Sequence, residues 1–126
     1  MTVQSRRSGR RTALFLLYQW DLTGQPLASL YEGDVDEFAR DLAEQVAARA
    51  EELDALVSGA ADGWPADRLG VVERNVLRIA TLELLDRRVP HEVAIAEAVG
   101  LAKRYASDEA GRLVNGILGK IAREAA

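Results

Sequence analysis

Cysteine is absent from this 126-residue chain, proline occurs three times, histidine once, and aromatic residues make up only 6%. The missing thiols exclude disulfides, thiolate zinc sites and a cysteine nucleophile, a composition that suits a reducing cytoplasm. A single histidine builds neither a catalytic triad nor a metal site by itself. No apolar run approaches the roughly 20 residues of a membrane span. Ala13–Tyr18 follows paired arginines, yet Gln19 and Asp21 interrupt it too early for the core of an export signal, and no small-residue cleavage site follows. These absences point to a soluble cytoplasmic protein. What the chain does have is 48% apolar and 29% charged residues. At this length that supports one domain over residues 1–126 with one core, and it is too hydrophobic for disorder.

The charge is unevenly placed. Arg6, Arg7, Arg10 and Arg11 put +4 with no acid into the first twelve residues, leaving −8 on the rest of a chain whose net charge is −4. A basic arm is attached to an acidic body. Gly9 weakens helix continuity there, so the arm over about residues 1–9 is expected to be flexible until bound. Because 14 of the 16 basic residues are arginine, only the clustering is informative, not the choice of arginine over lysine.

Helical spacing dominates, and 21 alanines with little β-branched alternation agree with it. The pattern predicts a first helix over about Arg10 to Leu22, apolar round most of its circumference, stopping before Gly24 and Pro26. A short turn at Leu27–Tyr31 follows. Asp34 or Asp36 can then cap one long helix whose stripe Val35, Phe38, Leu42, Val46, Ala50, Leu53 and Val57 faces inward, up to Gly59. Gly63, Trp64 and Pro65 make a connector before a turn at Asp67–Leu69. A helix over about Val71 to Arg87 comes next, then one opened by Pro90 with Ala94, Ile95, Ala98, Leu101, Ala102 and Tyr105 inward. Ser107 caps the last, with Asp108 and Glu109 in its first turn. The class is all-α, with five main helices and short turns.

Motifs for chemistry fail on inspection. His91–Ile95 starts like a zinc-protease helix but has Ile95 where the second ligand must stand. Gly116, Gly119 and Lys120 mimic the tail of a phosphate loop without its upstream glycine or following hydroxyl. Glu51 and Glu52 are adjacent on a helix and point apart, which reads as solvation. No catalytic residue, metal or cofactor is expected.

One constellation remains. Extended slightly toward the N-terminus, the first helix places Arg7, Arg11 and Tyr18 within about 40° of one another around its axis. Guanidinium groups fit phosphate oxygens, and an exposed ring can carry an unstacked base, the requirements for single-stranded RNA. Tyr18, between Leu17 and Trp20, can equally be a core residue with its hydroxyl at the rim.

Residues 13–24, Ala-Leu-Phe-Leu-Leu-Tyr-Gln-Trp-Asp-Leu-Thr-Gly, follow Arg-Arg and resemble the opening helix of the NusB family of bacterial transcription antitermination factors. Val-Glu-Arg-Asn-Val-Leu-Arg-Ile-Ala at 72–80, Val-Ala-Ile at 93–95, Leu-Ala-Lys at 101–103 and Leu-Val-Asn-Gly-Ile-Leu at 113–118 stand in the family's order. The match runs from about Arg6 to Ala122 and is weak only between Pro26 and Asp62. The resemblance implies a compact domain of two packed helical bundles with no catalytic site. It also implies binding of boxA RNA together with a ribosomal small-subunit protein that doubles as Nus factor E, for delivery to elongating RNA polymerase on ribosomal RNA operons.

Carried onto this chain, the family's basic segment and first-helix tyrosine become Arg6, Arg7, Arg10, Arg11 and Tyr18 as RNA residues, with Asp108 and Glu109 near the same surface. Its Val-Glu-Arg stretch becomes Val72, Glu73 and Arg74 as partner residues. Asn115 matches a motif position, either as a buried amide or as a ligand contact. Departures from the family pattern are Ser8 and Gly9 within the basic run, Ala96 in place of asparagine and Leu113 in place of phenylalanine. The expected hold on RNA is therefore weaker or more dependent on the partner. The competing reading is a protein-binding or homodimerising helical module with little RNA binding of its own. An RNA methyltransferase fragment, a form in which such domains also occur, lacks room for a cofactor domain and lacks the attacking cysteine.

Overall fold

The computed structural model describes residues 3–62 and 68–125, arranged as helices α1 (Val3–Thr23), α2 (Glu37–Ala48), α3 (Ala50–Ala60), α4 (Val71–Leu85), α5 (His91–Tyr105) and α6 (Asp108–Ala125), with a 3₁₀ turn at Leu27–Leu30. Helix α4 organises them. Ten successive residues, Asn75 to Leu84, are buried, as expected only of a helix covered on all sides, and α4 packs against each of the other five α-helices. Helices α1 and α2 pair with one another, as do α5 and α6, and α4 is shared between the two groups. Leu14 and Leu17 of α1, Leu42 and Val46 of α2, Leu53 of α3, Leu77 of α4 and Leu118 of α6 meet in one apolar cluster. No described helix is long and apolar enough to cross a membrane.

Three expectations are corrected. Helix α1 begins at Val3 rather than near Arg10, so residues 3–9 belong to it. Gly9 is tolerated there because it makes room: a Cβ at this position would lie 2.6 Å from Cδ1 of Phe38 in α2. The helical conformation costs glycine about 1 kcal/mol relative to alanine, and the close approach of Phe38 is what it permits.

The long helix over Val35–Val57 is two helices. At Arg49 the backbone turns (φ −114°, ψ 20°) and the amide is shared between the carbonyls of Gln45 and Val46. The Arg49 side chain then donates to Glu52 and Asp86, anchoring the bend to the end of α4. Helix α4 itself stops at Leu85, two residues short of the expected end, with Arg87 in the left-handed region (φ 51°) and the amide of Arg88 returning to the carbonyl of Glu83.

Other local signals hold. Asp36 accepts from the amide of Ala39 at 3.2 Å and Ser107 from that of Ala110 at 3.0 Å, each closing a helix N-terminus. The connector at Gly63, Trp64 and Pro65 and the start of the turn at Asp67 lie outside the described residues.

Candidate nucleic-acid interface

The four N-terminal arginines of α1 meet different fates. Arg6 is exposed and has no polar partner among the described residues. Arg7 reaches across to α5, where its Nε and Nη2 donate to the Glu97 carboxylate at 2.9–3.2 Å. The hydrogen bonds and the charge of Glu97 hold the Arg7 guanidinium above its ordinary pKa. Arg11 lies one turn on, half-buried, with a single long contact to Ser8 Oγ at 3.4 Å.

Arg10 is the exception and a correction. Its side chain is 3% exposed, and its Nε and Nη2 donate to both oxygens of Glu83 in α4, itself 2% exposed, at 2.8–3.2 Å. The guanidinium also lies over the Phe38 ring, 5.8 Å from its centroid. A group closed in by carboxylate and ring cannot reach a phosphate, so Arg10 is removed from the RNA residues. The reason is tertiary: α2 and α4 pack over this turn of α1 and bring Phe38 and Glu83 against Arg10.

Past the arginines, the same side of α1 becomes aromatic. Tyr18 is 39% exposed and Phe15 45%, so Tyr18 is not a core residue. Phe15 meets Tyr105 at the end of α5 edge-to-face, with centroids 5.2 Å apart and planes at 84°. Arg104 stacks on the other ring system, its guanidinium carbon 5.4 Å from the centroid of Tyr105. Two hollows meet at Tyr105. One, about 310 Å³, is lined by Arg7, Arg11, Glu97, Gly100 and Arg104; the other, about 290 Å³, by Leu14, Phe15, Tyr18 and Val72. Cations line one and rings the other of two adjoining hollows that share Tyr105, set along a groove between α1 and α5 that reaches Val72 at the start of α4. It can hold phosphates at its α1 N-terminal end and unstacked bases at the other.

The three expected partner residues do not form one surface. Val72 lines the aromatic hollow just described. Arg74 turns inward, where its Nε donates to Asp21 of α1 at 2.7 Å and Nη1 to the carbonyl of Leu69 at 3.1 Å; it is removed from the partner residues because those bonds hold it in place. Glu73 faces a separate hollow of about 770 Å³ between the end of α3, the start of α4 and α6, with Leu69, Leu113 and Ile117. Glu109, expected beside the RNA residues, lines that second hollow too, and Asn115 is exposed rather than a buried amide.

The sequence model of the NusB family matches residues 7–123, which include every residue that lines the two hollows. The chain belongs to the NusB family. A transcription antitermination protein NusB of Rubrobacter xylanophilus is 41% identical over 121 residues, covering 90% of this chain and 87% of that one. Among solved structures, NusB of T. maritima superposes with a TM-score of 0.84 at 36% identity, covering 94% and 91% of the two chains. A structure of antitermination factors NusB and NusE in complex with double-stranded RNA superposes with a TM-score of 0.85 at 31% identity, covering 98% and 99%.

Within this NusB-family fold, the residues that sequence reasoning missed are Phe15, Arg104, Tyr105 and Glu97. Phe15 could have been found, since it stands four residues after Arg11 and three before Tyr18, on the same helix face. Tyr105 reads as an inward position of α5, and its ring is half-buried with an edge left in the groove. Nothing in the spacing of a chain read linearly brings Glu97 to Arg7, 90 positions away.

Proposed function

We propose that this chain is a transcription antitermination factor that binds single-stranded, boxA-type RNA in the groove between α1 and α5. It acts with the ribosomal small-subunit protein that serves as Nus factor E to keep RNA polymerase elongating through ribosomal RNA operons. Arg6, Arg7 and Arg11 hold phosphates, Arg104 closes the same end, and Tyr18, Phe15 and Tyr105 offer faces and edges for unstacked bases. The observation that carries this reading is the meeting of guanidinium and aromatic groups at Tyr105; a similar structure holds NusB and NusE with double-stranded RNA, which supports RNA and that partner as ligands of this fold. Open rings favour a single strand, because paired bases in an A-form helix present no free face. The domain works by binding, without catalysis, in the cytoplasm.

The hollow beside Glu73, with Leu69, Leu113 and Ile117, is the face we assign to a protein partner, since it combines apolar walls with charged groups of both signs, Glu73, Glu109 and Lys120 among them. The acidic body limits indiscriminate attachment to RNA and leaves the arginine end to set orientation.

A mobility-shift titration with boxA-containing and scrambled RNA, with and without the ribosomal protein, tests this. Tighter binding of boxA RNA, strengthened by the protein, is expected. Equal, weak binding of both RNAs with retention of the ribosomal protein would replace it with the protein-binding reading.

A further inference from the structure

Two arginines of α1, one turn apart, are pinned by carboxylates in the same way, and only one stays open to solvent. In Arg10–Glu83 and in Arg7–Glu97 the acid takes the Nε–Nη2 edge of the guanidinium. A guanidinium has a second fork, formed by Nη1 and the remaining hydrogen of Nη2, that can grip a phosphate by two parallel bonds. In Arg10 that fork is enclosed. In Arg7 it has no partner among the described residues, and the side chain is 65% exposed against 13% for Glu97.

The difference in exposure says which member orients the other. Glu97 stands on α5 largely covered and makes no other polar contact among the described residues, whereas Arg7 is a long side chain on an open helix face. Left alone, Arg7 would sample many rotamers, and ordering it on a phosphate would carry that entropy. Ala96 and Gly100 flank Glu97 in the floor of the hollow and add no bulk that would cover the outer fork.

We infer that Glu97 is a positioning residue for RNA: it holds Arg7 by its inner edge so that the outer edge meets a phosphate at the mouth of the hollow. This rests on the proposed RNA-binding function. It also inverts the ordinary expectation for an acid beside a nucleic-acid site, since a carboxylate that acted only through repulsion would weaken binding.

Fluorescence anisotropy with a labelled single-stranded boxA-type RNA separates the two. Wild type, Arg7→Ala, Glu97→Gln and the double variant are titrated across a range of salt. Glu97→Gln is expected to weaken binding roughly two- to five-fold, the range of an exposed ion pair. It should also flatten the slope of log affinity against log salt by up to about 0.7, the share of one phosphate on a single strand. In the Arg7→Ala background the same change should have no effect. A merely structural contribution would lower the unfolding temperature and leave the salt slope where it was. Tighter binding by Glu97→Gln, an unchanged slope, or an equal loss with and without Arg7 overturns the inference while wild-type binding keeps the functional reading. Absence of binding by the wild-type protein overturns both.

Discussion

Arg10 and Glu83 lie against one another inside the protein, bonded through both carboxylate oxygens, and they join the first turns of α1 to the most deeply buried stretch of α4. An arginine placed among RNA-binding candidates by its position in a basic cluster is thus part of the core. Removing one member of a buried pair leaves the other charge without compensation, at a cost of about 3–5 kcal/mol. Arg10→Ala is expected to lower the unfolding temperature sharply, and the double change Arg10→Met with Glu83→Leu to recover much of the loss, as thermal denaturation would read. At a temperature where the double variant is folded, its RNA affinity and salt dependence should match wild type. A flattened slope there would return Arg10 to the interface.

Tyr18 is expected to behave in the opposite way. Its ring is 39% exposed, so Tyr18→Ala should lower the unfolding temperature less than Arg10→Ala does while costing RNA binding about 1–3 kcal/mol, the value of one stacked base. Tyr105→Ala should lose on both measures, because its ring supports Phe15 as well as facing the groove. Calorimetry paired with anisotropy distinguishes the two outcomes. A Tyr18 variant that melts early without losing RNA would restore the core reading.

Acid should loosen the junction of α1, α3 and α4. Burial works to raise the Asp21 carboxyl, but the hydrogen bond from Arg74, the charge of Arg78 and the hydrogen bond from Asn75 outweigh it and hold it below the usual range. A carboxyl depressed in the folded state adds stability that is complete above its unfolded value of about 4 and fades as pH falls through the folded value. Unfolding temperatures of wild type and Asp21→Asn, followed from pH 6 down to about 2.5, should therefore converge below about pH 4. A gap between them that stays constant would exclude Asp21 as a source of acid lability.

Gly9→Ala offers a test of the junction between α1 and α2. Alanine is the better helix former by about 1 kcal/mol, yet its Cβ would press on the Phe38 ring, and overpacking costs about 1–3 kcal/mol. The net expectation is a lower unfolding temperature. A rise would mean that Phe38 moves aside freely, in which case the double change Gly9→Ala with Phe38→Leu should add nothing.

Most of the helices were legible because periodicity and punctuation agree along this chain. Leu42, Val46, Leu53 and Val57 are inward as their spacing requires, and Asp36 and Ser107 cap where local hydrogen-bond chemistry places them. The break at Arg49 was not legible, since no glycine or proline marks it and one of the two acids that Arg49 contacts there, Asp86, is 37 positions away. The groove was half visible. Arg7, Arg11 and Tyr18 share a helix face by counting alone, whereas Arg104 and Tyr105 join them only because α5 packs alongside α1.

By itself, the order of residues determined an all-helical chain, its membership of the NusB family and the concentration of positive charge near one end. These are properties of local spacing and composition, which need no knowledge of what lies across the core. Tertiary structure alone decided which arginines are available. Arg7 and Arg10 are chemically identical and both meet a carboxylate, but Arg10 is enclosed between α1, α2 and α4 while Arg7 stands at the rim with one fork open. Burial is set by what packs on top of a side chain, and that depends on helices far away in the sequence.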